Sequence, residues 1–139
     1  MNYYNKNNLK QYILASASPF LIPAVLGSTA VLLGALGAHA LKAVCTPEQL
    51  QSFETAVRYQ MYHSMALLVL YCVPQSASVK LTERLWLWGT ILFSGSIYLL
   101  LLLKIQFHAT SLPALGLITP LGGILMILGW LNVIRFKRT

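Results

Sequence analysis

Long uncharged stretches alternate along the chain with short segments that hold nearly all of its Lys, Arg and Glu. Three stretches stand out: about 20–41, about 85–103 between Arg84 and Lys104, and about 112–134, which stops at Arg135, Lys137 and Arg138. A helix needs about 20 apolar residues to cross roughly 30 Å of hydrocarbon, so each of the three predicts a membrane-spanning helix. A fourth segment is less plain, because its purely apolar part, Met65 to Val73, is too short to span. Upstream of it, Thr46-Pro47-Glu48-Gln49 reads as a helix start. Thr46 is the N-cap, Pro47 stands where no N–H is needed, and Gln49 can close a capping box. A helix from Pro47 through Val73 would be about 40 Å long. Its first half is amphipathic, with Leu50, Phe53 and Val57 on one face and Glu54 and Arg58 paired at i, i+4. This half is expected to lie at the membrane interface and to enter the bilayer near Tyr59, giving a second span at about 59–74; a break near Tyr59 is the alternative.

The expected fold is all-α: an integral membrane four-helix bundle with an amphipathic interfacial segment ahead of helix two. Residues 1–18 form a polar N-terminal tail, 19–135 the four-span domain and 136–139 a basic C-terminal tail. Lys6 and Lys10 ahead of an apolar stretch, with Ala38-His39-Ala40 after it, resemble a signal peptide. The stretch from Phe20 is longer than a signal core, so an uncleaved first span is expected.

Composition excludes the soluble classes. Of 139 residues 57% are hydrophobic and 9% charged, against about 45–50% and about 25% in a soluble domain. Disordered chains, in turn, are poor in the apolar residues found throughout this one. The net charge of +7 sits at segment boundaries, which fits topology and anionic lipid headgroups rather than nucleic acid. Lys6, Lys10, Lys80, Arg84, Arg135, Lys137 and Arg138 fall on the side of the termini, with Lys42, Arg58 and Lys104 opposite. The positive-inside rule then predicts cytoplasmic N- and C-termini in the inner (plasma) membrane. Cys45 and Cys72 form no disulfide framework.

Small residues mark where spanning helices approach closely. Helix one carries Ala30, Gly34 and Ala38 at intervals of four, with Gly27 and Gly37 nearby. Helix four has Gly116 and Gly123, and Gly122 and Gly129, each pair seven apart; helix three has Ser94-Gly95-Ser96. Leu101 is expected on a lipid face. Pro120 removes a backbone N–H and predicts a kink, with Thr119 able to satisfy a freed group.

Ionisable groups inside a membrane are the natural functional candidates. His39, near the end of helix one, and His63, about one turn into helix two, are expected at similar depth. Tyr59 and Gln60, at i−4 and i−3 from His63, extend a polar stripe. Such a cluster could bind a quinone, a haem, or a metal with Met61, Met65 or Cys45 as soft ligands. The plainer reading is that the two histidines hydrogen-bond across the helix pair and fix its register, so no cofactor and no metal are expected. His108, in the loop after Lys104, is expected to be solvated. No catalytic motif is present and no acidic residue falls within a predicted hydrocarbon core, which argues against an enzyme and against a proton-coupled transporter.

Four segments carry a family resemblance: Gly34-Ala-Leu-Gly-Ala-His39-Ala-Leu, Thr55-Ala-Val-Arg-Tyr59-Gln-Met-Tyr-His63, Leu92-Phe-Ser-Gly-Ser-Ile-Tyr98, and Thr119-Pro-Leu-Gly-Gly123 with Gly129-Trp130. In this order, over about Val25 to Arg135, the chain resembles the membrane proteins grouped as domain of unknown function 423. That group is also called uncharacterised protein family 0382 and includes the eukaryotic transmembrane protein 256. The resemblance implies a four-helix inner-membrane protein without an assigned activity. It singles out His39, Tyr59, His63, Ser94, Gly95, Tyr98, Thr119, Pro120 and Gly123. Together the residues and the resemblance lead to a non-enzymatic interaction or accessory protein that packs against itself or a membrane-protein partner. The rival is a small-molecule binder at His39, Tyr59, Gln60 and His63. A transporter or channel rests only on Pro120 and the glycines.

Overall fold

The computed structural model describes residues 19–107 and 113–136, which leaves the polar tail, His108, the start of the fourth span and the last three residues outside the described part. Four helices follow one another: α1 (Leu21–Ala38), α2 (Pro47–Leu70), α3 (Ala77–Phe107) and α4 (Pro113–Asn132). Single 3-10 turns, Leu41–Ala43 and Val133–Arg135, follow α1 and α4. Among the described residues there is no strand. The segments Leu21–Ala43, Ala77–Gln106 and Gly116–Arg135 are long and apolar enough to cross a membrane. At 24 residues, or about 36 Å, α2 matches them in length but is more polar.

Local chemistry sets the helix starts. Gln49 donates its backbone N–H to Thr46 Oγ1 at 3.3 Å, and Thr46 donates its own to Gln49 Oε1 at 2.9 Å, which closes the capping box. From there α2 runs without interruption to Leu70, so it does not break near Tyr59. Its first half packs into the bundle with the rest, and Phe53 and Ala56 are already buried. Flanking helices shelter these positions, which hydropathy, counting residues without knowing their neighbours, does not register. α3 begins two turns before the predicted Leu85, where Val79 donates its N–H to Ser76 Oγ at 3.3 Å.

The helices pack in chain order, α1 on α2, α2 on α3 and α3 on α4, and no non-consecutive pair has its backbones in close approach among the described residues. Short connections make each neighbour antiparallel. The tightest crossing joins α3 and α4. A Cβ on Gly122 would overlap the backbone of Phe93 and come within 2.9 Å of the Gly89 carbonyl, and one on Gly89 would stand 3.0 Å from the Gly122 carbonyl. One further heptad along α4, a Cβ on Gly129 would stand 2.6 Å from Trp86 Nε1. These contacts let the two backbones meet, which is how packing holds helices together where lipid supplies no hydrophobic drive. At the end where α1 enters, Leu67, Leu70, Val79 and Trp86 form the apolar core, with Leu26 and Val133 against it. There Asn132 Nδ2 donates to the Ser78 carbonyl (2.8 Å) and to Thr82 Oγ1 (3.0 Å), fastening α4 to α3.

Candidate functional site

α2 lies between α1 and α3, and polar side chains of both neighbours bond to it. Gln60 joins three helices: its Nε2 donates to the Leu26 carbonyl and to Thr29 Oγ1 on α1, both at 2.8 Å, and its Oε1 accepts from Tyr98 on α3 at 3.0 Å. Ser64 donates to the Pro23 carbonyl at 2.6 Å, and Ser94 to the Ala56 carbonyl at 2.8 Å. Across α3 and α4, Ser96 donates to the Phe93 carbonyl (3.0 Å) and lies 2.6 Å from Thr119 Oγ1, so Thr119 is the donor in that pair. Thr119 therefore reaches sideways to α3, while α4 continues through the exposed Pro120. Thr29, Ser64 and Asn132 were not singled out by sequence. Only their small or amide side chains in otherwise apolar stretches could have pointed to them.

His63 is 3% exposed and donates Nδ1–H to the Tyr59 carbonyl at 2.9 Å. In the neutral ring this leaves Nε2 an acceptor, and it is buried without a partner, as is the Nε1–H donor of Trp86. The two rings meet edge-on with centroids 6.1 Å apart, and Trp130 of α4 closes the cage at 6.3 Å from His63 and 4.6 Å from Trp86. Tyr59 stacks on His63 at 6.3 Å. Tyr59 and His63 are thus brought together, whereas Gln60 belongs to a separate network facing α1.

The expected pairing of His39 with His63 is corrected. A Cβ on Gly27 would stand 2.9 Å from Ser64 Oγ, so Gly27 is the α1 residue level with His63. His39 lies twelve residues further along α1, about 18 Å away along the axis, and it is exposed. The reason is that α2 enters the bundle at Pro47, which puts His63 sixteen residues in instead of one turn. His39, His63 and Cys45 are not gathered, and among the described residues no three His, Cys, Asp or Glu side chains converge.

The glycines divide in the same way. Gly37 lies 2.9 Å, at its would-be Cβ, from Phe53, and Gly122 sits at the α3–α4 crossing. Gly34 and Gly123 make ordinary contacts at 3.5 and 3.8 Å, and Gly95 has nothing within 4 Å. Leu101, expected at the lipid, is 6% exposed; its neighbour Leu102 is the outward residue.

The outer half of α2 is the other notable region. Phe53, Ala56, Gln60, His63, Ser64 and Leu67 point inward. Gln51, Glu54, Arg58, Tyr62, Met65 and Val69 point outward and are exposed. Ser94, which bonds to Ala56, is ten residues from both Arg84 and Lys104, about 15 Å from each. Gly122, level with Phe93, is likewise near the middle of the apolar run of α4. Glu54 and Arg58, each two residues from Ala56, therefore lie within about 3 Å of the middle of that thickness. Arg58, which sequence counting put on the side opposite the termini, is level with the middle of the uncharged run of α3. Its hydrogen bond is to Thr55 Oγ1 at 3.3 Å. With Gly34, Gly37 and Val57, Glu54 and Arg58 line an open cleft of about 280 Å³ between α1 and α2.

Comparison with known proteins places this architecture. A UPF0382 membrane protein of Staphylococcus aureus (strain bovine RF122 / ET3-1) is 41% identical over 103 residues, covering 73% of this chain and 79% of its own length. UPF0382 membrane proteins of Bacillus subtilis (strain 168) and Schizosaccharomyces pombe are 36% and 39% identical, over 82% and 81% of this chain and 90% and 95% of theirs. No solved structure matches. The family profile described as "Protein of unknown function (DUF423)" matches residues 33–123, a range that holds all of α2 and α3 and with them Gln60, His63 and Ser94. The chain is a multi-pass membrane protein and belongs to this family.

Proposed function

We propose that the chain is a non-enzymatic interaction protein of the inner membrane, with both termini cytoplasmic, and that the outer face of α2 is its contact surface. One observation carries the reading: Glu54 and Arg58 are exposed and flank Ala56, which is level with Ser94, midway along the uncharged run of α3 between Arg84 and Lys104. An arginine at the centre of a spanning helix costs about 2.5–3.5 kcal/mol on insertion scales. Snorkelling does not relieve that cost here, because the interface lies about 15 Å away, beyond the reach of an arginine stem. Polar side chains at this depth face protein or water, so this face is read as covered in the membrane. Inside, the bonds of Gln60, Ser64 and Ser94 hold α2 rigidly between α1 and α3, which presents the face in a fixed geometry.

A second reading, a small-molecule site, is favoured by the unpartnered His63 Nε2 and Trp86 Nε1, a complementary acceptor and donor in one aromatic cage. Purification in mild detergent, followed by an absorption spectrum, metal analysis and native mass spectrometry, separates the two. A colourless, metal-free protein whose His63→Ala variant loses only thermal stability supports the first. A chromophore, metal or small molecule that is lost in His63→Ala establishes the second.

A further inference from the structure

We infer that the cavity at the turn between α2 and α3 is a binding site for one anionic phospholipid, whose phosphate is held by Arg135 with Ser76 and Ser78. The cavity measures about 360 Å³ and lies between that turn and the end of α4, away from the outer face of α2. Its lining combines two chemistries. Val73, Val79 and Phe136 give it apolar walls that continue into the core around Leu70 and Trp86. Ser76, Ser78 and the exposed Arg135 add two hydroxyls and a guanidinium, and no carboxylate lines it. A cationic site without an acidic group selects an anion, and the planar guanidinium matches a phosphate with two parallel hydrogen bonds.

Depth selects a lipid as the carrier of that phosphate. The uncharged run of α4 ends at Arg135, and Asn132, three residues earlier, donates to the Ser78 carbonyl at 2.8 Å. The cavity therefore stands where hydrocarbon gives way to headgroups. A free anion would gain nothing from the apolar walls, whereas a phospholipid brings a phosphate and an apolar chain together. Charge then separates anionic from zwitterionic headgroups. Lys80 and Arg84 follow Ser76 at intervals of four along α3 and are exposed, so they add two cations to the face that Ser76 begins. The chain has three acidic side chains. Glu48 stands at the far end, in the first turn of α2, and Glu54 lies midway along the bundle. Glu83, half-buried, accepts the Tyr71 hydroxyl at 2.6 Å. An ammonium headgroup would find no carboxylate in the cavity and would meet Arg135, Lys80 and Arg84, the same cations that attract a headgroup with net negative charge.

The test uses the full chain, purified in mild detergent and read by native mass spectrometry, with phosphatidylglycerol, phosphatidylcholine or inorganic phosphate added singly. The expected result is one saturable phosphatidylglycerol adduct, bound about tenfold or more tighter than phosphatidylcholine. Arg135→Gln should weaken that adduct about tenfold. Lys104→Gln removes the same charge at the other end of α3 and should leave it unchanged. Ala77→Trp fills the cavity while keeping every charge and should weaken the adduct as Arg135→Gln does. Melting curves without lipid establish that each variant is folded, and the two variants perturb the site by independent routes. Equal binding of phosphatidylcholine, an equal loss in Lys104→Gln, or no saturable phosphatidylglycerol adduct overturns the site. Displacement of phosphatidylglycerol by millimolar inorganic phosphate, or a phosphate adduct lost in Arg135→Gln, overturns the lipid as ligand in favour of a free anion.

Discussion

Gly122 is where a single methyl group should be felt most. Its missing side chain lets the α4 backbone rest on α3 at Phe93 and Gly89, and an added Cβ would lie 2.8 Å from Phe93 Cα and 2.9 Å from the Gly89 carbonyl oxygen. All the atoms it meets there belong to helical backbone, so no flexible side chain can yield. Restoring ordinary contact requires the helices to part by about 1 Å, and overpacking of this kind costs about 1–3 kcal/mol. Replacing a helical glycine by alanine also brings a propensity gain of about 1 kcal/mol. Gly95 is the control, since it lies in α3 with nothing within 4 Å and Gly95→Ala should gain the propensity alone. The difference between Gly122→Ala and Gly95→Ala therefore isolates the steric part. In mild detergent, followed by circular dichroism, Gly122→Ala should melt roughly 3–10 °C below Gly95→Ala, at about 2–4 °C per kcal/mol. Equal melting temperatures, or a higher one for Gly122→Ala, would refute the claim that this backbone crossing holds α3 to α4.

Gln60→Leu removes the hydrogen bonds that tie α2 to Thr29, Leu26 and Tyr98, and should destabilise by about 1–2 kcal/mol, read as a lower midpoint in a sodium dodecyl sulfate titration; His39→Ala, at an exposed position, should leave that midpoint unchanged. Thr46→Ala opens the capping box and should lower stability by about 1 kcal/mol, with amide exchange rising at Glu48 and Gln49 before the rest of α2. Leu101→Ala should cost about 2–5 kcal/mol as a buried truncation and Leu102→Ala almost nothing, a contrast that equal melting curves would dismiss. A reporter fused after Thr139 should be active only as a cytoplasmic fusion, and activity of an external reporter there would invert the topology.

Much of the fold was legible residue by residue. The charge-free runs ending at Lys42, Lys104 and Arg135 mark three spanning helices, because a charge inside hydrocarbon is expensive. Thr46-Pro-Glu-Gln marks the start of α2, because a capping box uses only local atoms. The seven-residue interval between Gly122 and Gly129 pointed to a shared face, since helix periodicity is also local. Other features were not legible. Lipid-facing and protein-facing positions of a spanning helix are both apolar, so no sequence pattern separated Leu101 from Leu102, or Gly122 from Gly123.

The sequence by itself determined that the chain is helical, that it lives in a membrane, and where most helices begin and end, since these follow from hydropathy and from interactions within a few residues. The tertiary structure decided register and company. It set Gly27 beside Ser64, and so carried His39 about 18 Å from His63. It also made α2 one uninterrupted helix sheltered between α1 and α3, with Gln60 inside and Arg58 outside. Those outcomes depend on contacts between residues thirty or more positions apart, where a methyl group at one glycine changes which helices can touch, and no local pattern encodes that choice.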